Sequence, residues 1–357
     1  MSTTINHAEK VLFTPSEIEE AQRQVPYKLT LIDAGLYTSN HSLRRLWFHQ
    51  RLASKIFRYL SKRVKDGDIV IIPSRPPELI WCVSRLKQWK NIKTILDIED
   101  LWGSFLPGYN GPVYRLFGRY CDFLQVRSIP RYDRYVHVSE LNYALMRRYA
   151  PDAPSEFLPL GFDPARWDHC APKRGAENSR PIKIYYCGSL SREVNVLPVV
   201  IAVSRMPDRY EMVLIGCSHS DPYYQETHDF LEQQKPTNIA LGGVVAPAEA
   251  SALIAEQDIA AVPTRSAALP NKFFDAIGSY APMLVCGEYD SAELVRKYDI
   301  GWVASHEPDA IGKVLRNVDF RGIVMKSSNI ANCRAQFSHD RINERYEAVV
   351  RGLLNES

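Results

Sequence analysis

The sequence predicts an α/β protein of two domains, each a parallel sheet with crossover helices. Three observations predict it. Apolar runs of strand length, such as Ile69–Ile72 and Ile259–Val262, alternate with longer stretches of helical spacing, as in sheets whose strands are joined by helices. The chain has 357 residues, 45% of them hydrophobic, which is long for one core and suits two. A proline-dense stretch from Ala150 to Ile182 separates the two alternating halves and reads as an interdomain linker.

Taken in order, residues 1–26 are polar and carry no clear period. Lys28–Asp33 reads as a strand ending near Gly35, but the strand, turn and helix over Leu29–Asn40 make only a short first unit. Leu43–Val64 reads as a long helix. Asp66-Gly67 turns the chain into Ile69–Ile72, a buried strand, followed by a helix over Glu78–Trp89 and a strand over Lys93–Asp97. His137 sits between Val136 and Val138 on a further strand, the setting of a buried structural histidine. In the second half the strands are Ile184–Cys187, Met212–Ile215, Ile239–Leu241, Ile259–Val262, Met283–Val285 and Gly301–Val303. Asp340–Leu354 is a helix, because Ile342, Tyr346, Val349, Val350 and Leu353 recur at helical spacing.

Several classes are excluded. No apolar run approaches the roughly 18–20 residues of a membrane span, and the first residues form no secretory leader. The seven cysteines are scattered without close pairs, which argues against a zinc site or a disulfide framework and fits a reducing cytoplasm. Asp66-Gly67-Asp68 matches a metal-binding Asp-x-Asp on paper, but its place before a strand makes it a turn. The net charge is +3, unevenly spread: residues 1–180 hold 27 Lys and Arg against 19 Asp and Glu, and the remainder 17 against 22. The basic half faces anionic partners such as lipid headgroups or pyrophosphates. Residues 44–65 hold eight Lys and Arg, no acid, and Trp47, Phe48, Phe57 and Tyr59; this reads as a helix at an anionic membrane surface or as one packed on its sheet. No motif supports nucleic-acid binding.

Three constellations carry chemistry. The segment from Ala267 to Val285 reads as loop, helix and buried strand. Pro270 suits the helix start, where a missing N–H costs nothing. Lys272 and Asp275, three residues apart, share a face. Free N–H groups and an adjacent lysine attract phosphate, while the carboxylate suits ribose hydroxyls; together they point to a sugar nucleotide. Gly188-Ser189, after a strand, lets a diphosphate approach the backbone. Asp97, Glu99 and Asp100 cluster at a strand's C-terminal end, where ligands of open α/β sheets bind, and Asp100, then Asp97, suits orienting or deprotonating an acceptor hydroxyl.

Pro270-Asn271-Lys272-Phe273-Phe274-Asp275 followed by Ala281–Val285 resembles the donor-site helix of two-Rossmann (GT-B) glycosyltransferases. The likeness is to the group 1, family 4-like branch that builds bacterial surface polysaccharides. Ile184–Leu190 resembles that family's first donor strand and glycine turn, Ala240–Val245 through Asp258–Thr264 its base-binding strand, helix and next strand, and Tyr135–Ser139 with Leu158–Asp163 its crossover. Asp97–Trp102 resembles the Asp-Leu-Trp element of some members. Asp275 and Ala267 stand where many members carry two glutamates, and Ser189 and Asn195, with Arg192 between, stand where many carry an arginine and a lysine. A branch of the family uses the lysine that Lys272 matches.

The resemblance implies two Rossmann-like domains facing across a cleft, with a C-terminal helix crossing back to the first. The expected boundaries are an acceptor domain at 1–160, a linker at 161–182, a nucleotide-sugar domain at 183–335 and the tail helix at 336–357. It implies a nucleotide-sugar donor, UDP rather than GDP, held by Gly188, Ser189, Arg192, Pro270, Asn271, Lys272 and Asp275, with Val244 and Val245 at the nucleobase. The acceptor would be lipid-linked or a glycan, the reaction retaining, and no metal or other cofactor is expected. The expected location is the cytoplasm, at the inner face of the cell membrane. Two alternatives stay open: a UDP-sugar 2-epimerase-like enzyme, and a catalytically silent subunit of a polysaccharide-assembly complex.

Overall fold

The structure, a computed structural model, describes residues 2–6, 11–37, 43–103, 111–174, 180–191, 194–219, 221, 223–265 and 269–355. The chain divides into two compact units: residues 1–137, 142–157 and 349–357 form one, and residues 138–141 and 158–348 the other. The segment 161–182 thus falls within the second unit, and the last turns of the tail helix, His339–Asn355, group with the first.

The first unit carries a four-stranded parallel sheet in sequential order, Ile69–Pro73, Lys93–Ile98, Arg134–His137 and Ser155–Phe157. The helix Leu43–Arg63 buries Phe48, Leu52, Ala53, Ile56 and Leu60, residues at helical spacing, in this unit's core. Its apolar face is therefore packed inside, and its outward face is basic, with Trp47 exposed. The sequence reads Ile69–Ile72 as a buried strand. It is an edge strand instead: Val70 and Ile72 point inward, and Ile71 is exposed. The first strand shrinks to Leu31–Ile32, which pairs with Ser2–Thr3 and lies outside the four-stranded sheet. The pattern-poor N-terminus also contains a helix, Pro15–Gln24, closed by a capping box in which Thr14 and Glu17 satisfy each other's backbone N–H groups. Asp66 and Asp68 accept from the N–H groups of Asn91 and Lys65 around Gly67, an ordinary turn. His137 is buried, bonded to Ser155 Oγ at 2.6 Å and stacked on Tyr143, and burial pushes its pKa down to about 4.

The second unit holds six parallel strands in the spatial order Ile239–Gly243, Tyr210–Ile215, Ile182–Cys187, Ile259–Val262, Met283–Cys286, Gly301–Ala304. In chain order this is 3-2-1-4-5-6, the doubly wound Rossmann arrangement. Ile259–Val262 and Met283–Cys286 are buried at every residue, as expected of inner parallel strands. The order reverses between Ile182–Cys187 and Ile259–Val262, and the crevice beyond the C-terminal ends of those two strands is where such sheets bind ligands.

Part of the stretch read as a linker packs into this unit: residues from Leu158 onward group with it, while Ser155–Phe157 is the last strand of the first sheet. Asp163 caps a short 3₁₀ turn, Pro164–Trp167, and the Trp167 side chain is fully buried. A Cβ on Gly278 would overlap the Trp167 indole, so the two elements touch as closely as their backbones permit.

Candidate functional site

Gly188 follows the first strand of the six-stranded sheet with φ +135°, a backbone state that side chains resist. Its N–H donates to Ile215 O at 2.9 Å. The neighbouring turn uses Gly216 at φ +82°, where a Cβ would stand 3.2 Å from Gly188 N. Asp221 ties the two turns together, one carboxylate oxygen accepting from the N–H groups of Leu190 and Ser218, each at 3.0 Å. Tyr186 donates its hydroxyl to Ser189 O at 2.6 Å, which fixes the peptide after the glycine. The result is a narrow, pre-set backbone turn with an exposed Ser189 at its rim.

Lys272 reaches this turn from the other side of the reversal point. A Cβ on Gly188 would lie 3.5 Å from both Cε and Nζ of Lys272. The ammonium also sits 5.1 Å from the centre of the Tyr186 ring. Its helix, Asn271–Gly278, starts at Pro270 in extended conformation, and no side chain caps that start. Phe273, Phe274, Ala276 and Ile277 are buried and leave Lys272 and Asp275 on the remaining face. Burial lowers the Lys272 pKa, opposed by Cys187 and Asp275 nearby. Burial raises the Asp275 pKa, opposed by Arg166 and Lys272. A partly desolvated cation beside an uncapped helix start and a bare glycine turn has the chemistry that suits an anion.

Arg166 is the residue that sequence reasoning missed. Its guanidinium pairs with Asp275 Oδ1 at 3.2 Å, and its Nε donates to Ser251 Oγ at 2.8 Å. The available signal was Trp167 beside it: a large aromatic within a supposed linker calls for burial, and burial brings its neighbour inward.

Val244 and Val245 follow a bulge in the edge strand Ile239–Gly243: Leu214 pairs with Leu241 but Ile215 pairs with Gly243. Gly243 adopts φ +66°, and Val244 projects into solvent. Arg192 and Ala267 lie outside the described residues. Pro270, Asn271, Lys272, Gly188 and Ser189 thus gather at the reversal point with Asp275 one turn deeper, while Val244 and Val245 stand at the sheet's edge.

The carboxylates of the first unit form a separate cluster. Asp97 lies in the strand Lys93–Ile98, near its C-terminal end, and its carbonyl accepts from Ser74 N at 2.7 Å. Arg75 stands 3.2 Å from Asp100 Oδ2 and 3.5 Å from Glu99 Oε2. Ser74 Oγ donates to Asp100 O at 2.8 Å and fixes that loop. Partial burial raises the Asp100 pKa, while Arg75 and a hydrogen bond involving Trp102 oppose the rise. Arg75 was not anticipated either; it lies on the neighbouring strand's exit, and no local pattern joins it to Asp100.

Sheet order, glycine turn and helix start together define a doubly wound Rossmann unit, and the whole chain has the two-domain GT-B fold. Sucrose-phosphate synthase from Thermosynechococcus elongatus matches with TM-score 0.72 and 14% identity, over 92% of this chain and 84% of that one. HepE from Anabaena, in complex with UDP, matches with TM-score 0.71 and 13% identity, over 94% and 89%. An α,α-trehalose-phosphate synthase (UDP-forming) from Burkholderia vietnamiensis matches with TM-score 0.65 and 11% identity, over 88% and 81%. No protein-family model matches the sequence. No curated protein matches it either. Among the described residues no helix is long and apolar enough to cross a membrane.

Proposed function

We propose that this protein is a glycosyltransferase that moves a sugar from a nucleoside-diphosphate sugar, with UDP as carrier, to a hydroxyl of a lipid-linked or polysaccharide acceptor. The observation that carries the reading is Lys272 Nζ set against the Gly188 turn, beside an uncapped helix start, where the strand order reverses. HepE solved with UDP-glucose and a trehalose-phosphate synthase described as UDP-forming support the choice of donor.

In this reading the second unit grips the donor. The backbone at Gly188 and Ser189, the N–H groups at Asn271 and Lys272 after Pro270, and the Lys272 ammonium hold the diphosphate, with Arg192 beside them. Asp275 accepts from the ribose hydroxyls, and the chain at Val244 and Val245 meets the nucleobase. As the bond from the sugar's anomeric carbon to the diphosphate oxygen breaks, negative charge grows on that oxygen, and these donors stabilise it without a metal. The acceptor oxygen bonds to the same carbon, with retained configuration, and its proton passes to a base. In this reading Asp100, with Asp97 second, is the carboxylate that orients the acceptor or takes the proton.

Calorimetry with UDP, GDP and dTDP sugars tests the reading: one diphosphate binds, and Lys272→Ala weakens it. Failure of every member of the panel to bind removes the reading. The ion pairing of Arg75 with both Glu99 and Asp100 favours one second reading, a donor-binding but catalytically silent subunit. Donor binding without transfer to any lipid-linked or glycan acceptor would select it.

A further inference from the structure

The helix Pro112–Ser128 of the first unit is two-faced in an unusual sense. Its inner face buries Gly118, Cys121, Leu124, Gln125 and Ser128. Its outer face carries Val113, Leu116, Phe123 and Val126, which are 72%, 71%, 50% and 55% exposed. At 100° per residue these four share one arc with Arg115, Arg119 and Arg127, all exposed. The helix's single acid, Asp122, stands at the edge of the arc and accepts from Tyr149 OH at 3.0 Å. The Arg127 guanidinium lies 3.9 Å from the centre of the Phe123 ring, so charge and apolar surface are interleaved rather than segregated.

We propose that this face docks on an anionic lipid surface. Four large apolar side chains in water are a liability for an isolated domain unless something covers them. Interleaved arginines select what that is. Apolar chains enter the acyl boundary while arginine stems lie along it and place their heads among anionic headgroups. A second copy on a two-fold axis would set arginine against arginine, which disfavours self-association. The surface differs from the helix 44–65 singled out by composition, whose apolar side is buried in the core. The docking goes beyond the transferase reading and does not depend on it: it rests on residues outside the donor unit.

The test is flotation of the full chain with vesicles of phosphatidylcholine alone or mixed with phosphatidylglycerol. The wild type floats with the mixed vesicles and stays behind with the neutral ones. Leu116→Ser with Phe123→Ser lowers the partition coefficient at least about tenfold. Arg119→Gln with Arg127→Gln lowers it about twenty-five-fold at low salt, near fivefold per charge. Trp47→Ala, on the other helix, leaves it unchanged. All four serine and glutamine sites face solvent, so circular dichroism and melting stay as in the wild type, and UDP affinity stays unchanged. Equal flotation on both vesicle types, or unchanged partition of both double variants, overturns the proposal. A concentration-dependent dimer that Leu116→Ser with Phe123→Ser dissolves, without vesicle binding, assigns the face to a second copy and also overturns it.

Discussion

Arg166 holds Asp275 through a 3.2 Å ion pair while Ser251 fixes the same guanidinium from behind at 2.8 Å. The carboxylate proposed to meet the ribose therefore does not choose its own rotamer. Arg166→Ala removes a neighbour that lowers the Asp275 pKa, so that pKa rises further and the carboxylate loses its aim. Affinity for UDP falls about tenfold, in line with one charge-assisted contact, while affinity for inorganic pyrophosphate, which has no ribose, is unchanged. Arg166→Lys restores part of the loss. Equal weakening of both ligands would show that the arginine merely supports the fold.

Lys272→Ala weakens the preferred nucleoside diphosphate by about 1.5–3 kcal/mol in calorimetry. The pH dependence has a definite sign. Burial lowers the folded-state pKa below 10.5, so between the two values the unfolded chain binds the extra proton, and the ligand-free protein gains stability as pH rises through that window. A bound diphosphate reverses the preference by stabilising the ammonium. Binding at alkaline pH is then coupled to proton uptake, and affinity falls as pH rises. Calorimetry in buffers of different ionisation enthalpy reads the uptake, and it vanishes in Lys272→Ala.

Gly188→Ala tests the turn itself. At φ +135° an alanine is strained by about 1–3 kcal/mol, and its methyl group stands 3.5 Å from Lys272 Nζ, in the space assigned to phosphate. We expect a lower melting temperature and loss of UDP binding together. A variant that melts early yet binds UDP as the wild type would separate the turn from the site.

Asp100→Asn leaves donor affinity untouched and lowers transfer to acceptor by about a hundredfold or more, the range for loss of a general base. Asp97→Asn has a smaller effect. Burial raises the Asp100 pKa above 3.8, so the folded state holds its proton to higher pH than the unfolded chain does. Arg75→Ala removes the opposing charge, lifts that pKa further and moves the acid limb of the rate profile to higher pH. An acid limb that stays put in Arg75→Ala would take Asp100 out of the reaction.

Much of the donor unit was legible in the sequence because its signals are local. Inner parallel strands are continuous apolar runs, and Pro270, Lys272 and Asp275 declare a helix start and its face within six residues. What escaped was of two kinds. Pro15–Gln24 has no buried residue, so no buried apolar face marks it, and its signals are the Thr14–Glu17 cap and Pro15 at the helix start. Arg75 and Arg166 find their carboxylates across the sheet or across half a domain, and partner choice at that range depends on packing that no short window contains. Proline density alone does not tell a loose linker from a packed segment, because prolines shape both; around Pro164 it is the burial of Trp167 that shows packing.

The reversed strand order has a bearing on assembly of the molecule. Gly188 leaves the first strand of the second sheet and Lys272 follows the fourth, so the glycine turn and the amine that guards it meet only after the intervening chain has folded back beside its origin. A half-built sheet that lacks the fourth strand holds the glycine turn but not the lysine that would complete the proposed phosphate grip. Nucleotide capture would then report completion of that sheet, and the activated sugar would be withheld from any immature form able to squander it on water.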